Sequence, residues 1–272
     1  MAPGYSGPAK LVGLEARYAG PVLELILLRH GRSEWNERNL FTGWHDVDLT
    51  EDGEREAEAA GRLLAAQATL DLRVVHTSLL TRAIRTADLA LYVAGRSWIP
   101  VRRSWRLNER HYGDLTGKDK RETTEQFGRE QVLLWRRSYD VAPPPLPAGD
   151  PRDVGGDPRY RDVPREYIPR SECLKDVVAR AAPYFRDVIA EDLARESVAG
   201  GAVLVVAHGN SIRALRMLIQ NIGEDEVTEL EVPTGIPYRI TLDHEMTVVD
   251  ARYLGDPHAA AEAAEAVARQ AG

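Results

Sequence analysis

The sequence predicts an α/β fold built on a mostly parallel central sheet, and two observations carry that expectation. Short apolar runs alternate with helical patterns along the chain, the strand, helix, strand order that gives parallel pairing. Two of those runs end alike, in LILLRHG and VLVVAHGN, each with a histidine followed by a glycine. In an open parallel sheet, ligands gather outside the carboxyl ends of the strands, so His30 and His208 are expected to face one crevice.

The first strand is expected over 22–28 and a second over 73–76 (RVVH). Between them a helix opens with Thr50 as N-cap and Glu51 and Asp52 in its first turn, where carboxylates suit the positive end of the helix dipole. A further helix is expected over 80–94, stopped by Gly95. From 103 to 170 the pattern weakens into WRLNERHYGDLTG, a short helical piece over 131–139, and APPPLPAGDPRDVGGDPRY. This last stretch is too rich in Pro, Gly and Asp for regular structure. Long irregular segments inside a compact domain act as lids, binding loops or linkers, and the stretch from Trp105 to Tyr160 reads as a cover.

Regularity returns at Ser171, read as the N-cap of an amphipathic helix with Leu174, Val178, Ala181, Phe185 and Val188 on one face. Cys173 beside that face reads as structural. The run 201–207 (GAVLVVA) reads as a central strand covered on both faces; a helix carrying Ile212, Leu215 and Ile219 follows and stops near Gly223. Two more strands are expected over 238–242 and 247–253. Residues 1–21 read as an extension that can be disordered, 22–255 as a single catalytic domain, and 256–272 as an alanine-rich tail with little to bury, expected to fray.

With 272 residues the chain can bury one large α/β core. Its 43% hydrophobic and 28% charged residues are ordinary for a soluble globular protein, and a net charge of -7 argues against a general nucleic-acid or anionic-membrane binder. No window approaches the roughly 18 uninterrupted apolar residues of a membrane span, and the first twenty residues lack the pattern of a signal peptide. A single cysteine excludes an internal disulfide and any zinc site built on two cysteines, which fits a reducing, cytoplasmic setting.

Arg29 beside His30 points to a phosphate, because a guanidinium matches phosphate oxygens in a fork and a neutral imidazole is a nucleophile. The helix beginning near Asn210 would aim free N–H groups at an anion. Arg82, early in its helix, can reach toward the strand ends, and Glu109 could move a proton for a leaving or attacking hydroxyl. Two alternatives stand beside this reading. Each histidine could be a structural side chain, or the pair could bind a metal, although His45, His76, His111, His244 and His258 show no HxxxH or HxH spacing that would supply a third ligand.

The stretches LLRHG, SEWN, NLFTGWHDVDLT, TSLLTRAIRT, SWRLNERHYGDLTG, EQVLLWRRSY, AHGNSIRALR and EVPTGIPY, spread over 23–255, resemble the cofactor-dependent phosphoglycerate mutases of the histidine phosphatase superfamily. RHG marks only the superfamily; RLNERHYG followed by WRR is more specific to the mutase branch. The resemblance implies a three-layer α/β/α, phosphoglycerate mutase-like fold and interconversion of 3-phosphoglycerate and 2-phosphoglycerate without a metal. It makes His30 the phosphorylated nucleophile, primed by 2,3-bisphosphoglycerate, with Arg29, Arg82 and His208 holding the transferring phosphoryl. Ser33, Asn36, Gly209 and Asn210 line the same pocket, and Glu109 is the general acid/base. Arg110, His111, Tyr112, Lys120, Arg136 and Arg137, with Thr42 and Gly43, grip the substrate's carboxylate and other phosphate. Phosphoglycerates are the implied partners, with no nucleic acid or membrane, and the implied assembly is a homo-oligomer, dimer or tetramer.

Attack requires a neutral His30, whereas a protonated His208 would strengthen the clamp on the phosphoryl oxygens. The chain departs from the family at RHGRS, where RHGES is usual, and Arg32 is expected either to add positive potential near the pocket or to point outward. A phosphatase on the same scaffold, or a silent phosphometabolite-binding protein in which Arg32 has spoiled turnover, remain the competing readings.

Overall fold

The computed structural model describes residues 22–269, so the extension expected over 1–21 lies outside the described residues. In chain order the elements are β1 (Leu23–Arg29), a one-turn α1 (Glu34–Glu37), α2 (Glu51–Ala65), β2 (Asp71–Thr77), α3 (Thr81–Val93), β3 (Val101–Arg103), α4 (Lys120–Phe127) and α5 (Arg129–Arg137). Next comes α6 (Leu174–Tyr184), which runs through a π-helical turn at Phe185–Ile189 into α7 (Ala190–Ser197). The chain closes with β4 (Gly201–Ala207), α8 (Gly209–Gln220), α9 (Glu224–Glu229), β5 (Tyr238–Leu242), β6 (Val248–Tyr253) and α10 (Pro257–Arg269).

The six strands form one mixed sheet in the order β3-β2-β4-β1-β5-β6. The first four in that order run parallel, and β5 is antiparallel to both its neighbours. Alternation along the strands sends side chains to two cores. Leu25, Leu27, Val203 and Val205 pack with Leu193 of α7 and Ile212 and Leu215 of α8. Ile26, Leu28, Leu204 and Val206 pack with Ala60 and Leu64 of α2 and Ala87 and Ala90 of α3. All of β4 is buried, as its unbroken apolar sequence requires. Among the described residues, no helix is long and apolar enough to cross a membrane.

Thr50 caps α2 as expected, its hydroxyl accepting from the Gly53 N–H at 3.1 Å. Ser171 does not cap α6. Its hydroxyl donates to the Pro143 carbonyl at 2.6 Å, and the N-cap is Cys173, whose N–H donates to Asp176 Oδ2 at 2.9 Å. Val178 and Val188, expected in the core, are half-buried, while Val177 and Ile189 take core positions. The π turn, Phe185–Ile189, contains Val188 and Ile189 and inserts an extra residue into the helical repeat there. The alanine-rich tail is helical, with Ala260 buried, and its Ala259 and Ala263 share a groove with Ala59 and Leu63 of α2. It therefore has a surface to cover, contrary to the sequence expectation.

The N-terminus of α2 is pressed against the loop that follows β1. A methyl group at Gly31 would lie 2.1 Å from the Gly53 carbonyl oxygen, and one at Gly53 would lie 2.0 Å from that of Arg32. Only glycines permit this approach, which also lets the Gly31 N–H reach Thr86 Oγ1 at 3.1 Å. Gly31→Ala is expected to destabilise the protein by about 1–3 kcal/mol through overpacking, measured by urea unfolding, with Gly95→Ala, where no atom lies within 4 Å, as a local control for strain alone.

Candidate active site

Strand register builds the centre of the site. Arg29 of β1 pairs with Ala207 of β4, so both strands end at one level. The His30 N–H donates to the Ala207 carbonyl at 3.0 Å, and the rings of His30 and His208 come to 4.9 Å between centroids. His30 Nδ1 lies 2.7 Å from the Gly31 carbonyl oxygen. A carbonyl only accepts, so Nδ1 carries the hydrogen and Nε2 keeps a free lone pair. Burial, with Arg82 and Arg29 nearby, holds the His30 pKa well below its ordinary value. His30 is thus a neutral imidazole presenting a bare Nε2.

His208 is held neutral for the same reasons, burial first, then Arg82, His30 and Arg29. The protonated state expected for His208 is therefore disfavoured here. Ser78, at the end of β2, lies 2.8 Å from His208 Nε2 and also accepts from the Leu80 N–H at 3.2 Å. That contact was not foreseen; it follows from the pairing of Thr77 with Val206, which sets Ser78 beside the end of β4.

The cations are fixed by backbone carbonyls. Arg82, fully buried, donates to Gly43 O at 2.8 Å and His45 O at 3.1 Å, and burial lowers its pKa to about 10. Arg29 Nη1 donates to Val232 O at 2.7 Å, while its Nε is buried with no partner among the described residues. Gly43 adopts a left-handed conformation (φ +58°) and abuts Arg110 O, where a Cβ would come within 3.0 Å.

Glu109 is buried between these charges. Burial pushes its pKa up, yet hydrogen bonds from the Arg110 N–H (2.8 Å) and from Asn210 N and Nδ2 (3.1 and 3.0 Å), with Arg29 and Arg82, outweigh this and hold it below its ordinary value. The carboxylate is ionised. It also occupies an N–H at the start of α8 that the sequence assigned to an external anion; the turn binds the protein's own carboxylate instead.

One cavity is lined by Arg29, His30, Asn36, Thr42, Gly43, Arg82, Glu109, Tyr112, Lys120, Arg136, Arg137, Gly209 and Asn210. Ser33, Arg110 and His111 stand behind that wall. Ser33 caps α1 and bonds Asn36 Oδ1 at 2.9 Å. Arg110 lies over the Tyr112 ring at 4.8 Å and donates to Arg136 O. His111 accepts from the Gly113 N–H at 3.0 Å, and burial lowers its pKa to about 4. Arg32 does not line the cavity; it faces Asp52 at 3.7 Å on the surface.

The expected cover is only partly what the structure shows. Its helices α4 and α5 supply Lys120, Arg136 and Arg137 to the cavity. The Pro- and Gly-rich remainder packs behind the Glu109 loop, with Tyr160 against Trp44 (5.0 Å between rings) and bonded to Asn108 Nδ2 at 2.9 Å. Sequence reasoning also missed Arg213 and Glu231, which line the cavity, and the buried pair Arg180–Glu172 at 2.7 Å. Arg180 reaches from α6 to the carbonyls of Arg106, Asn108 and Glu109, while Glu172 accepts from the His111 N–H. Together they clamp the loop that carries Glu109.

The profile of the histidine phosphatase superfamily (branch 1) matches residues 25–156 and 157–254. The chain is 54% identical over 246 residues to the "2,3-bisphosphoglycerate-dependent phosphoglycerate mutase" of Nitratidesulfovibrio vulgaris (strain Miyazaki F), covering 90% of this chain and 97% of that one. It is 55% identical over 249 residues to the protein of the same description from Streptomyces avermitilis, covering 91% and 96%. The chain belongs to the phosphoglycerate mutase family of the histidine phosphatase superfamily. Within that superfamily, a solved mycobacterial glucosyl-3-phosphoglycerate phosphatase superposes with a TM-score of 0.63 at 25% identity, covering 85% of this chain and 96% of that one.

The Arg180–Glu172 clamp gives a test. Arg180→Met leaves a buried carboxylate unpaired and is expected to cost about 3–5 kcal/mol, read by urea unfolding. Pairing it with Glu172→Gln should restore most of the stability, while a loosened Glu109 loop keeps activity low.

Proposed function

We propose that the protein interconverts 3-phosphoglycerate and 2-phosphoglycerate through a phosphohistidine on His30, primed by 2,3-bisphosphoglycerate. One observation supports this above others: the cavity joins a bare His30 Nε2 and an ionised Glu109 to a second group of cations on α4 and α5. A phosphatase needs only the first part, whereas a mutase must also hold the rest of a doubly anionic substrate while its phosphoryl groups exchange places.

The residues fit the priming ligand. Arg29 Nε and His208 Nδ1 are buried polar atoms without partners among the described residues, on the side chains that flank His30, and the cavity is lined by cations. When bound, 2,3-bisphosphoglycerate supplies the phosphoryl that charges His30. The chain's own chemistry is then simple. His30 Nε2 gives its lone pair to phosphorus as the P–O bond breaks, and Glu109, once it has taken up a proton from solvent, passes that proton to the leaving oxygen. In the reverse direction, the Glu109 carboxylate takes the proton of the attacking hydroxyl as the N–P bond breaks. Arg29 and Arg82 neutralise charge on the oxygens in flight, the main task in phosphoryl transfer, while the neutral His208 offers a hydrogen bond and no charge. Lys120, Arg136 and Arg137 hold the far end of the substrate.

Two outcomes follow. With 3-phosphoglycerate, catalytic 2,3-bisphosphoglycerate and no added metal, 2-phosphoglycerate should form with little free phosphate; phosphate without isomerisation would make the protein a phosphatase. His30→Ala should abolish turnover and phosphohistidine while leaving thermal unfolding near that of the parent.

Lys120 adds a pH dependence. Burial, then Arg136 and Arg29, lower its pKa to about 7. Below that pH it is a cation ready for an anion; above it, binding must first take up a proton. KM for 3-phosphoglycerate is therefore expected to rise between pH 7 and 8.5, by at most about tenfold per pH unit, and Lys120→Arg should flatten the rise.

A further inference from the structure

The EVPTGIPY stretch brings a carboxylate, Glu231, into the cavity. Arg29, Arg82, Lys120, Arg136, Arg137 and Arg213 line it on the positive side, and Glu109 and Glu231 on the negative side. Glu109 has a proton to carry. Glu231 engages two guanidiniums instead: its Oε1 accepts from Arg137 Nη2, and its Oε2 lies 3.4 Å from Arg213 Nη2. Those guanidiniums are also tied to the backbone, Arg137 Nη1 to Thr228 O at 3.2 Å and Arg213 Nε to Leu230 O at 2.6 Å. Their positions therefore do not depend on Glu231 alone, and what Glu231 adds is negative charge. Its side chain is 17% exposed, so water and salt screen that charge weakly.

We propose that Glu231 is a resident competitor of the anionic substrate, a carboxylate that weakens the grip of Arg137 and Arg213 and so sets how tightly phosphorylated acids are held. A cavity with this many cations would otherwise bind a polyanion tightly enough to make release slow, and binding energy spent equally on ground and transition states gives no gain in kcat. The inference rests on the phosphoglycerate reading only for the identity of the anion.

Glu231→Gln keeps the shape of the side chain and an oxygen for Arg137 while removing the charge, and Glu231→Ala serves as a second variant with the same expected sign. Calorimetry with 2,3-bisphosphoglycerate and with inorganic pyrophosphate, an anion that calls on no mutase chemistry, should show both bound at least fivefold more tightly by the variants. The gain should shrink in high salt, and kcat should fall together with KM. Unchanged or weaker binding of both anions would overturn the proposal, because a carboxylate that merely orients the two arginines predicts that sign. Failure of both anions to bind parent and variant alike would overturn it too. Absence of isomerisation in the parent would remove the mutase reading while leaving the pyrophosphate comparison to decide on Glu231.

Discussion

The whole site depends on the pairing of β1 with β4. Their parallel register sets Arg29 opposite Ala207 and ends both strands together, so residues far apart in the chain meet as one pair of rings. A slip of one residue would send every side chain of a strand to the opposite face. Here it would trade Leu25 and Leu27 for Ile26 and Leu28 between two different cores. Since β4 is buried throughout, such a slip would disturb both layers of helices, and the hydrophobic core thereby enforces the geometry of the candidate site. β2 joins the same frame and delivers Ser78 to His208.

Around that frame the protein balances charge in a poorly solvated space. Backbone carbonyls hold Arg29, Arg82, Arg137 and Arg213 in place, so the donors are preorganised and little rearrangement is needed as charge develops on a transferring group. Burial, reinforced by this positive field, keeps His30 and His208 neutral, and hydrogen bonds from Arg110 and Asn210, with the same field, keep Glu109 ionised. The bare imidazole nitrogen and the carboxylate are the states that the proposed nucleophile and base require. Glu231 and Glu109 keep this field from being uniformly positive.

What could be read in the sequence was local. Apolar runs gave most strands, Thr50 gave the start of α2, and the two histidine-glycine pairs gave the centre of the site, because each signal lies within a few residues. The motif resemblance extended this to the residues of α4 and α5. What escaped were features made by contacts between distant segments. Arg180 looks like any arginine on an amphipathic helix until Glu172 and the Glu109 loop fold onto it, and Arg213 gains its place only when Leu230 and Glu231 come alongside. β3 has three residues, too few to show a period. The tail's alanines looked idle because the groove beside α2 is not visible in one dimension.

The hydrogen bond from His30 Nδ1 to the Gly31 carbonyl has a chemical consequence of its own. A phosphoryl group can join either ring nitrogen of a histidine, and the two isomers differ in stability and reactivity. With Nδ1 committed to the main chain at 2.7 Å, only the Nε2 isomer can form without breaking that bond. The acceptor is the peptide oxygen of Gly31, a residue itself wedged against Gly53. The regiochemistry is therefore a property of the chain's path and does not hinge on any one side chain. Under the proposed function, exchange of surrounding residues would alter how fast His30 reacts, but the choice of nitrogen would stay with the backbone.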